Sequence, residues 1–315
     1  MIVKPLFFEP IFQERIWGGT RLTSFGYNIP SDKTGECWAF SAHPNGPSVV
    51  KNGPFRGLSL ADLWKEHREL FGNIEGDTFP LLTKILDAND DLSVQVHPND
   101  EYANKNENGE LGKTECWYII DCDEDAELIF GHNAQSKEKL ENMIDNGEWD
   151  KLLRIVKIQK GDFFYVPSGT VHALCKGTLV LETQQNSDTT YRLYDYDRKD
   201  DKGNTRELHL EKSKDVITVP FVNEELAFET EQIEKAKVTH FVANEYFSVD
   251  KYEIHGEASF KQSYPFLLCS VIDGDGKLVC SDGEHVLEKG AHFLLPYNFG
   301  EYKLIGSMEL IVSHV

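Results

Sequence analysis

The chain has 315 residues, of which 40% are hydrophobic and 27% charged, a composition typical of a folded globular protein and not of a disordered or fibrous one. Its 32 basic and 53 acidic residues give a net charge of -21, which argues against general binding to nucleic acids or anionic membranes and favours a monomer. No run approaches the roughly 18 apolar residues of a membrane span, no secretory signal is evident and the six cysteines are scattered, so we expect a cytoplasmic protein.

Helical periodicity predicts two clear helices and two shorter ones. Ser59 is the predicted N-cap of a helix over 60–71, and Ser136 is that of a helix over 137–146. The shorter candidates are 100–104 and 209–215. Most of the remaining chain consists of short β-rich runs separated by Gly, Asp and Asn, which is typical of antiparallel sheets. The clearest predicted strands are 92–96, 116–121, 127–130, 153–158, 163–166, 178–183, 247–254, 266–272, 292–295 and 310–315.

One short sequence occurs twice. KGDFFYVP at 160–167 is matched by KGAHFLLP at 289–296, and each copy combines a glycine turn, a short buried strand and a proline that ends strand pairing. The pattern resembles the second half of the cupin motif. It predicts a mainly β protein with two cupin-like jelly-roll barrels and a few helices in its N-terminal half. We place the connection in the acidic stretch 220–237, which gives a catalytic domain at 1–220 and a C-terminal domain at 221–315.

Three polar side chains share one face of the segment SVQVHP. Because alternate residues of a strand point the same way, Ser93, Gln95 and His97 lie together, opposite two valines. Inside a barrel, such a face would line a cavity for a metal and a substrate. A sheet with one solvent-exposed face is the alternative, and it is the commoner setting of a single histidine.

Glu115 and His172 occur in comparable strand or turn contexts. Glu115 shares a strand face with Lys113, which on its own would be an ordinary ion pair. His172 follows a glycine-containing turn and precedes an apolar run, so it can project inward from the mouth of a barrel. Together with His97, the two residues supply two imidazoles and a carboxylate, a common catalytic zinc set. Gln95 could add an amide oxygen.

A dense polar and aromatic run, LETQQNSDTTYRLYDYDR, occupies residues 181–198. Within it, Arg192 lies close to Tyr191 and Tyr194, and these rings could hold its guanidinium in a fixed position. A solvated surface loop explains the run about equally well when it is considered alone.

Taken together, these stretches resemble the short bacterial form of the type I mannose-6-phosphate isomerases (phosphomannose isomerases). Further matching stretches are IWGGTRL, TGECWAFSAHPNGPS, FPLLTKILDA, LGKTECWYII and GDFFYVPSGTVHAL. The resemblance implies a zinc-dependent aldose–ketose isomerase that interconverts mannose 6-phosphate and fructose 6-phosphate through an enediol(ate) intermediate. The large helical insertion of longer family members is not expected here.

The resemblance also implies roles for individual residues. One Zn²⁺ per chain would be held by four residues, namely Gln95, His97, Glu115 and His172. The catalytic arginine would be Arg192, and the phosphate would face Ser93 and Lys113. We add Lys84 and Glu182 as predicted substrate-binding residues. The general base stays open between a zinc-bound water, His97 and a nearby carboxylate such as Glu182.

The C-terminal copy of the repeat is predicted to bind no metal. After Pro296 the chain reads YNFGEY, where the first copy has SGTVHA, so the metal-binding histidine has no counterpart. His292 lies within an apolar strand and is predicted to be a core histidine.

Two other functions fit parts of the pattern. A metal-dependent cupin of different chemistry, such as an oxygenase, is one of them, but Lys113 and Arg192 favour an anionic sugar. A sugar-phosphate sensor without turnover is the other. Arg192 distinguishes it from an enzyme, since a sensor needs no cation directed at reacting carbons.

Overall fold

The computed structural model describes residues 4–199 and 202–315, and strands dominate it, as the sequence predicts. Its strands are Leu6–Glu9 (β1), Ile11–Gly19 (β2), Thr34–Phe40 (β3), Val49–Val50 (β4), Leu81–Ala88 (β5), Val94–Val96 (β6), Glu115–Cys122 (β7), Glu127–His132 (β8), Leu153–Lys157 (β9), Phe163–Val166 (β10), His172–Leu174 (β11), Thr178–Gln185 (β12), Tyr191–Tyr194 (β13), Glu229–Ile233 (β14), Ala236–Ala243 (β15), Ser248–Gln262 (β16), Phe266–Cys280 (β17), Gly283–Glu288 (β18), His292–Pro296 (β19) and Gly300–His314 (β20).

Short helices connect these strands. The α-helices are Leu60–Glu66 (α1), Asp100–Asn106 (α2), Lys137–Asp145 (α3), Trp149–Leu152 (α4) and Leu210–Val216 (α5), and the 3₁₀ helices are Arg21–Phe25, Gly53–Phe55 and Arg68–Phe71. Among the residues that the structure describes, no helix is both long and apolar enough to cross a membrane.

The predicted cap at Ser59 is confirmed, whereas the helix that follows is shorter than predicted. The Ser59 hydroxyl accepts a hydrogen bond from the backbone N–H of Asp62, and the Asp62 carboxylate accepts one from the backbone N–H of Ser59. The α-helix then ends at Glu66, because His67 leaves helical geometry, and the chain continues as a 3₁₀ helix to Phe71. The apolar spacing continues across this break, so it could not reveal the interruption.

Three sheets make up the β structure. One has the order β10-β7-β12-β5-β3-β2, a second has β13-β6-β11-β8-β9, and a third has β14-β15-β16-β20-β17-β19-β1-β4, with β18 paired to β17. All of the paired strands are antiparallel. The first two sheets face each other around the predicted site residues, an arrangement that agrees with the predicted cupin-like jelly roll.

The sequence pattern missed several strands of the N-terminal half. β3 and β5 are buried along their whole lengths, so neither alternates between apolar and polar residues as a half-exposed strand does. β14 was also missed, because it lies within the acidic stretch 220–237 that we assigned to the connection. It is an edge strand whose side chains are mostly exposed, which explains its weak pattern.

The two ends of the chain are joined in one sheet. β1 pairs with β19, with Leu6 opposite Leu294, and its other edge pairs with β4. The largest apolar cluster also continues across this region, since the ring of Phe79 lies 5.2 Å from that of Phe266. The predicted division between 220 and 221 remains a prediction, but the sheet shows that strands from the start of the chain complete the C-terminal half.

Candidate metal centre and active site

Three predicted ligands meet where the first two sheets face each other. His97 directly follows β6, Glu115 begins β7 and His172 begins β11, opposite Gln95. The ligand atoms of His97, Glu115 and His172 lie within 4.8 Å of one another, and all three residues are buried. Glu115 bridges the two histidines, with Oε2 at 3.4 Å from His97 Nε2 and Oε1 at 3.3 Å from His172 Nε2.

Backbone carbonyls set the orientation of both imidazole rings. The Nδ1 atom of His97 lies 2.9 Å from the carbonyl oxygen of Thr189, and that of His172 lies 2.9 Å from the carbonyl oxygen of Thr170. A carbonyl can only accept, so both Nδ1 atoms carry the proton and donate it. The lone pairs of the two Nε2 atoms therefore point towards Glu115. Metal-binding histidines are commonly held by such a bond from the other ring nitrogen.

The charge state of the cluster suits a divalent metal ion. Burial lowers the pKa of His97 to about 3 and also lowers that of His172, so both rings are neutral. Burial raises the pKa of Glu115, but the positive charge of Lys113 opposes this and the net shift is well below the usual value, so the carboxyl group is ionised. Both oxygens of Glu115 and the Nε2 atom of His97 are buried without a hydrogen-bond partner in the described structure. Buried polar atoms without a partner are costly, and a metal ion would satisfy all three.

Gln95, Ser93 and Arg192 continue the site along the same sheet. The amide nitrogen of Gln95 lies 3.3 Å from His172 Nε2, so this side chain borders the cluster. Arg192 lies opposite Gln95 in the neighbouring strand β13. Its Nε donates to the hydroxyl of Ser93 at 3.3 Å, and one terminal nitrogen donates to the carbonyl oxygen of Glu207 at 2.8 Å.

The opposite wall is a row of side chains across the other sheet. The row crosses four neighbouring strands at one level: Trp38 in β3 lies opposite Lys84 in β5, which lies opposite Glu182 in β12. Glu182 in turn lies opposite Trp117 in β7. The ammonium of Lys84 lies 3.4 Å from Oε1 of Glu182, and the indole N–H of Trp117 donates to Oε2 of the same carboxylate at 3.0 Å. Burial and the nearby Glu115 raise the pKa of Glu182.

Lys113 lies beside the metal cluster. Its ammonium is 3.2 Å from Oε2 of Glu115. Burial lowers the pKa of Lys113, but Glu115 and Glu182 raise it by more, so the side chain is charged. The structure therefore brings together every site residue that the sequence predicted, although it places Lys113 next to a metal ligand.

The side chains next to the cluster, among them Gln95, Lys113 and Glu182, line a cavity of about 340 Å³, whereas the three clustered residues lie behind this lining. Its lining includes several residues that sequence reasoning did not single out: Arg15, Trp17, Glu36, Trp117, Asp188, Thr190 and Arg206. Five of them stand in the stretches that carry the family resemblance, which was a usable signal: Trp17, Glu36, Trp117, Asp188 and Thr190. Arg206 lies outside those stretches, and only the folded chain brings it to the cavity.

A larger cleft of about 690 Å³ lies elsewhere, between the start of the chain and the β18 hairpin. Size alone would favour it as the binding site. However, none of its acidic or basic lining side chains is buried. The smaller cavity is lined by Gln95 and Lys113, which contact the buried cluster of His97, Glu115 and His172, so it is the candidate site of the chemistry.

Comparisons with known proteins agree with this architecture. The family model described as "Phosphomannose isomerase type I, catalytic domain" matches residues 6–120, and that described as "Mannose-6-phosphate isomerase, cupin domain" matches 237–315. The mannose-6-phosphate isomerase ManA of Bacillus subtilis (strain 168) is 64% identical over 315 residues, which cover 100% of both chains. The chain belongs to the type I phosphomannose isomerase family.

Two further members of the family show the same full-length similarity. A mannose-6-phosphate isomerase of Streptococcus mutans is 52% identical over 99% of this chain and 99% of its own. A crystal structure of the mannose 6-phosphate isomerase from Bacillus subtilis superposes with a TM-score of 0.97 at 58% identity, again over 99% of both chains. The family resemblance, the mainly β class and the cupin-like C-terminal half are thus confirmed.

Proposed function

We propose that the protein interconverts mannose 6-phosphate and fructose 6-phosphate in the cavity bounded by Arg192, Glu182 and the buried His97–Glu115–His172 cluster. The observation that carries this proposal is the cluster itself: both oxygens of Glu115 and the Nε2 atom of His97 lack hydrogen-bond partners among the described residues. The cluster lies beside a cavity whose lining includes Gln95, Lys113 and Arg192. The relatives that resemble the chain over its full length are mannose-6-phosphate isomerases, which supports the same reaction.

One Zn²⁺ would be held by His97, Glu115 and His172, with Gln95 as a fourth ligand once its amide oxygen faces the cluster. Two neutral imidazoles and a carboxylate are a usual zinc set. When bound, the ion would act as a Lewis acid that stabilises negative charge on a sugar oxygen.

The residues around the cluster suit the proton movement that the reaction needs. Converting the aldose to the ketose removes a proton from C2 and delivers one to C1, through an enediolate whose oxygens carry the negative charge. Lys113 and Arg192 are cations that border the cavity on different sides, and either can stabilise that charge. Ser93 would face the phosphate, as predicted, and Lys84 would provide a further hydrogen bond to the substrate.

We assign the proton transfer to Glu182. Its carboxylate faces the cavity, its Oε1 has no hydrogen-bond partner among the described residues, and burial raises its pKa. His97 is the weaker candidate, because one nitrogen binds the Thr189 carbonyl and the other faces Glu115. A metal-bound water remains the other candidate, and substitution of Glu182 separates the two.

The decisive experiment is turnover of mannose 6-phosphate to fructose 6-phosphate by purified protein, before chelation, after it, and after Zn²⁺ is restored. We expect activity to be lost on chelation and regained with Zn²⁺. Tight binding without conversion by folded, metallated protein would favour the sugar-phosphate sensor instead, and absence of both would favour a different cupin chemistry.

We also propose that the chain has two units with different tasks. The catalytic unit would comprise residues 1–220 and the C-terminal unit, without a metal, 221–315. The protein would act as a cytoplasmic monomer on a hexose 6-phosphate, without nucleic-acid or membrane partners.

A further inference from the structure

Arg192 lies on a strand at the edge of its sheet. Among the described strands, β13 pairs only with β6, and an edge strand presents backbone groups that need other partners. At Arg192, one residue provides both partners. The backbone N–H of Arg192 donates to Nδ1 of His209 at 3.1 Å, and its carbonyl oxygen accepts from the backbone N–H of His209 at 2.8 Å. His209 therefore completes the hydrogen bonding of β13 at this residue.

The segment that ends at His209 also holds the side chain of Arg192. Nη1 of Arg192 donates to the carbonyl oxygen of Glu207 at 2.8 Å, and its Nε donates to the hydroxyl of Ser93 at 3.3 Å. Both acceptors are neutral oxygens, so these two bonds orient the guanidinium without neutralising its charge. Glu207 stands two residues before His209. The bonds that fix His209 against β13 therefore also fix the carbonyl that orients Arg192.

The imidazole of His209 is suited to accept the hydrogen bond from Arg192. A backbone N–H can only donate, so Nδ1 is the acceptor and the proton of the neutral ring is on Nε2. Burial lowers the pKa of His209, and the positive charge of Arg192 lowers it further, so the ring is neutral at neutral pH. The ring also packs beside that of Tyr191, with 6.2 Å between the two centroids.

Neither the cavity nor the neighbouring helix accounts for the side chain of His209. Arg192 is part of the cavity lining, whereas His209 is not. His209 directly precedes α5, but its side chain makes no capping hydrogen bond to that helix. The acceptor at Nδ1 thus serves Arg192, and we expect any effect of His209 on the reaction to pass through Arg192.

We infer that His209 is a positioning residue for Arg192: it holds the guanidinium of Arg192 at the cavity, where the enediolate charge develops. This inference rests on the proposed function, in which Arg192 stabilises that charge. A preorganised cation contributes more to the transition state than to the bound substrate. Loss of its position therefore lowers kcat more than it raises KM.

The first test removes or restores the acceptor in the zinc-loaded full-length enzyme. His209→Leu has no acceptor, whereas His209→Asn places an amide oxygen the same number of bonds from the backbone as Nδ1. A small displacement of a catalytic group can cost about 100-fold in rate, so His209→Leu should lower kcat for mannose 6-phosphate by about 10- to 100-fold and change KM by less than about 3-fold. His209→Asn should keep kcat within about 5-fold of the wild type.

Two further variants accompany this test. Lys212→Gln is the matched control, because it alters α5 close to His209 and its ammonium contacts the Glu107 carboxylate at 2.6 Å, away from the cavity lining. It should leave kcat and KM unchanged. His209→Gln places its amide oxygen one bond further from the backbone than Nδ1, so it replaces the leucine variant if that variant does not fold stably. Circular dichroism melting curves and zinc content verify that each variant is folded and loaded.

The second test asks whether His209 acts through Arg192. In an Arg192→Ala background, His209→Leu should lower kcat by less than about 2-fold further, because no guanidinium is left to position. A substitution that merely damages the fold would lower kcat by the same factor in both backgrounds, and such additive losses would overturn the inference. Equal losses in His209→Leu and His209→Asn would overturn it too, because the acceptor would then not be responsible.

Hydrogen exchange of the Arg192 backbone amide separates this inference from the proposed function, since it needs no turnover. Exchange should be about 5- to 10-fold faster in His209→Leu than in the wild type, and near the wild-type rate in His209→Asn. Wild-type protein that does not isomerise mannose 6-phosphate would refute the function, and the exchange rates would still decide whether His209 holds Arg192. If the wild type isomerises the sugar but neither kcat nor exchange responds to His209→Leu, the function stands and the positioning role does not.

Discussion

The two copies of the repeated segment fold alike but end differently. In the first copy, β10 is followed by a turn that leads to His172, a member of the buried cluster. In the second, β19 is followed by a turn that leads directly into β20, and no histidine stands in the equivalent place. One β unit thus contributes to a candidate metal site in one half of the molecule and to packing in the other.

The packing around the second copy explains this difference. The interior of the C-terminal half is filled by an apolar cluster whose members include Phe293, Leu295, Phe299, Tyr302 and Met308. The interior of the first half contains the cavity and buried polar atoms without partners. A filled interior leaves no room for a substrate.

The two halves also differ in how the ring nitrogens of their buried histidines are hydrogen-bonded. His292 is fully buried, but its Nε2 lies 2.7 Å from the hydroxyl of Tyr27 and its Nδ1 lies 2.9 Å from the hydroxyl of Ser270. His97 is equally buried, yet its Nε2 has no hydrogen-bond partner among the described residues. Burial alone therefore does not distinguish a candidate metal ligand from a core histidine, whereas a buried nitrogen without a partner beside a carboxylate and a second histidine does.

The largest effect is expected from removing a ligand. His97→Ala should abolish stoichiometric zinc binding and lower kcat by roughly 10³-fold or more, because the charge on the sugar oxygens would lose its Lewis acid. Metal content by mass spectrometry and steady-state turnover measure both effects. His292→Gln is the matched control, since it alters an equally buried histidine and should keep the zinc; loss of zinc from both variants would contradict the contrast between the two halves.

Replacing Glu182 tests the proton carrier. Glu182→Gln keeps the shape of the side chain but cannot accept the C2 proton, so kcat should fall by about 10²- to 10⁴-fold while zinc content is unchanged. Solvent deuterium should also enter the product more slowly in this variant than in the wild type. A kcat within a few-fold of wild type would instead favour a metal-bound water as the base.

The smallest effect concerns the C-terminal histidine and pH. Burial lowers the pKa of His292 to about 3, whereas in the unfolded chain it is near 6.5, so the unfolded state binds more protons between these values. The free energy of unfolding therefore carries no penalty from this residue above pH 6.5, and it decreases as pH falls from 6.5 towards 3. Urea unfolding at pH 7 and pH 5 should show about 2 kcal/mol less acid destabilisation in His292→Gln than in the wild type. Equal losses in both proteins would contradict this assignment.

Much of the site could be predicted from sequence because several of its residues lie close together in one short stretch of the chain. The alternation of Ser93, Gln95 and His97 placed three side chains on one strand face, and the structure confirms that all three border the cavity or the metal cluster. The buried strands β3 and β5 could not be predicted in the same way, because strands buried on both faces lack a period of two.

The sequence by itself determined the family, the mainly β class and the identity of the candidate ligands, because these depend on residue types in short continuous stretches. Only the tertiary structure decided which ligand atoms lack partners, that β1 completes the C-terminal sheet, and that Arg206 rather than Arg198 reaches the cavity. These features depend on contacts between residues far apart in the chain, and no local period or motif encodes such contacts.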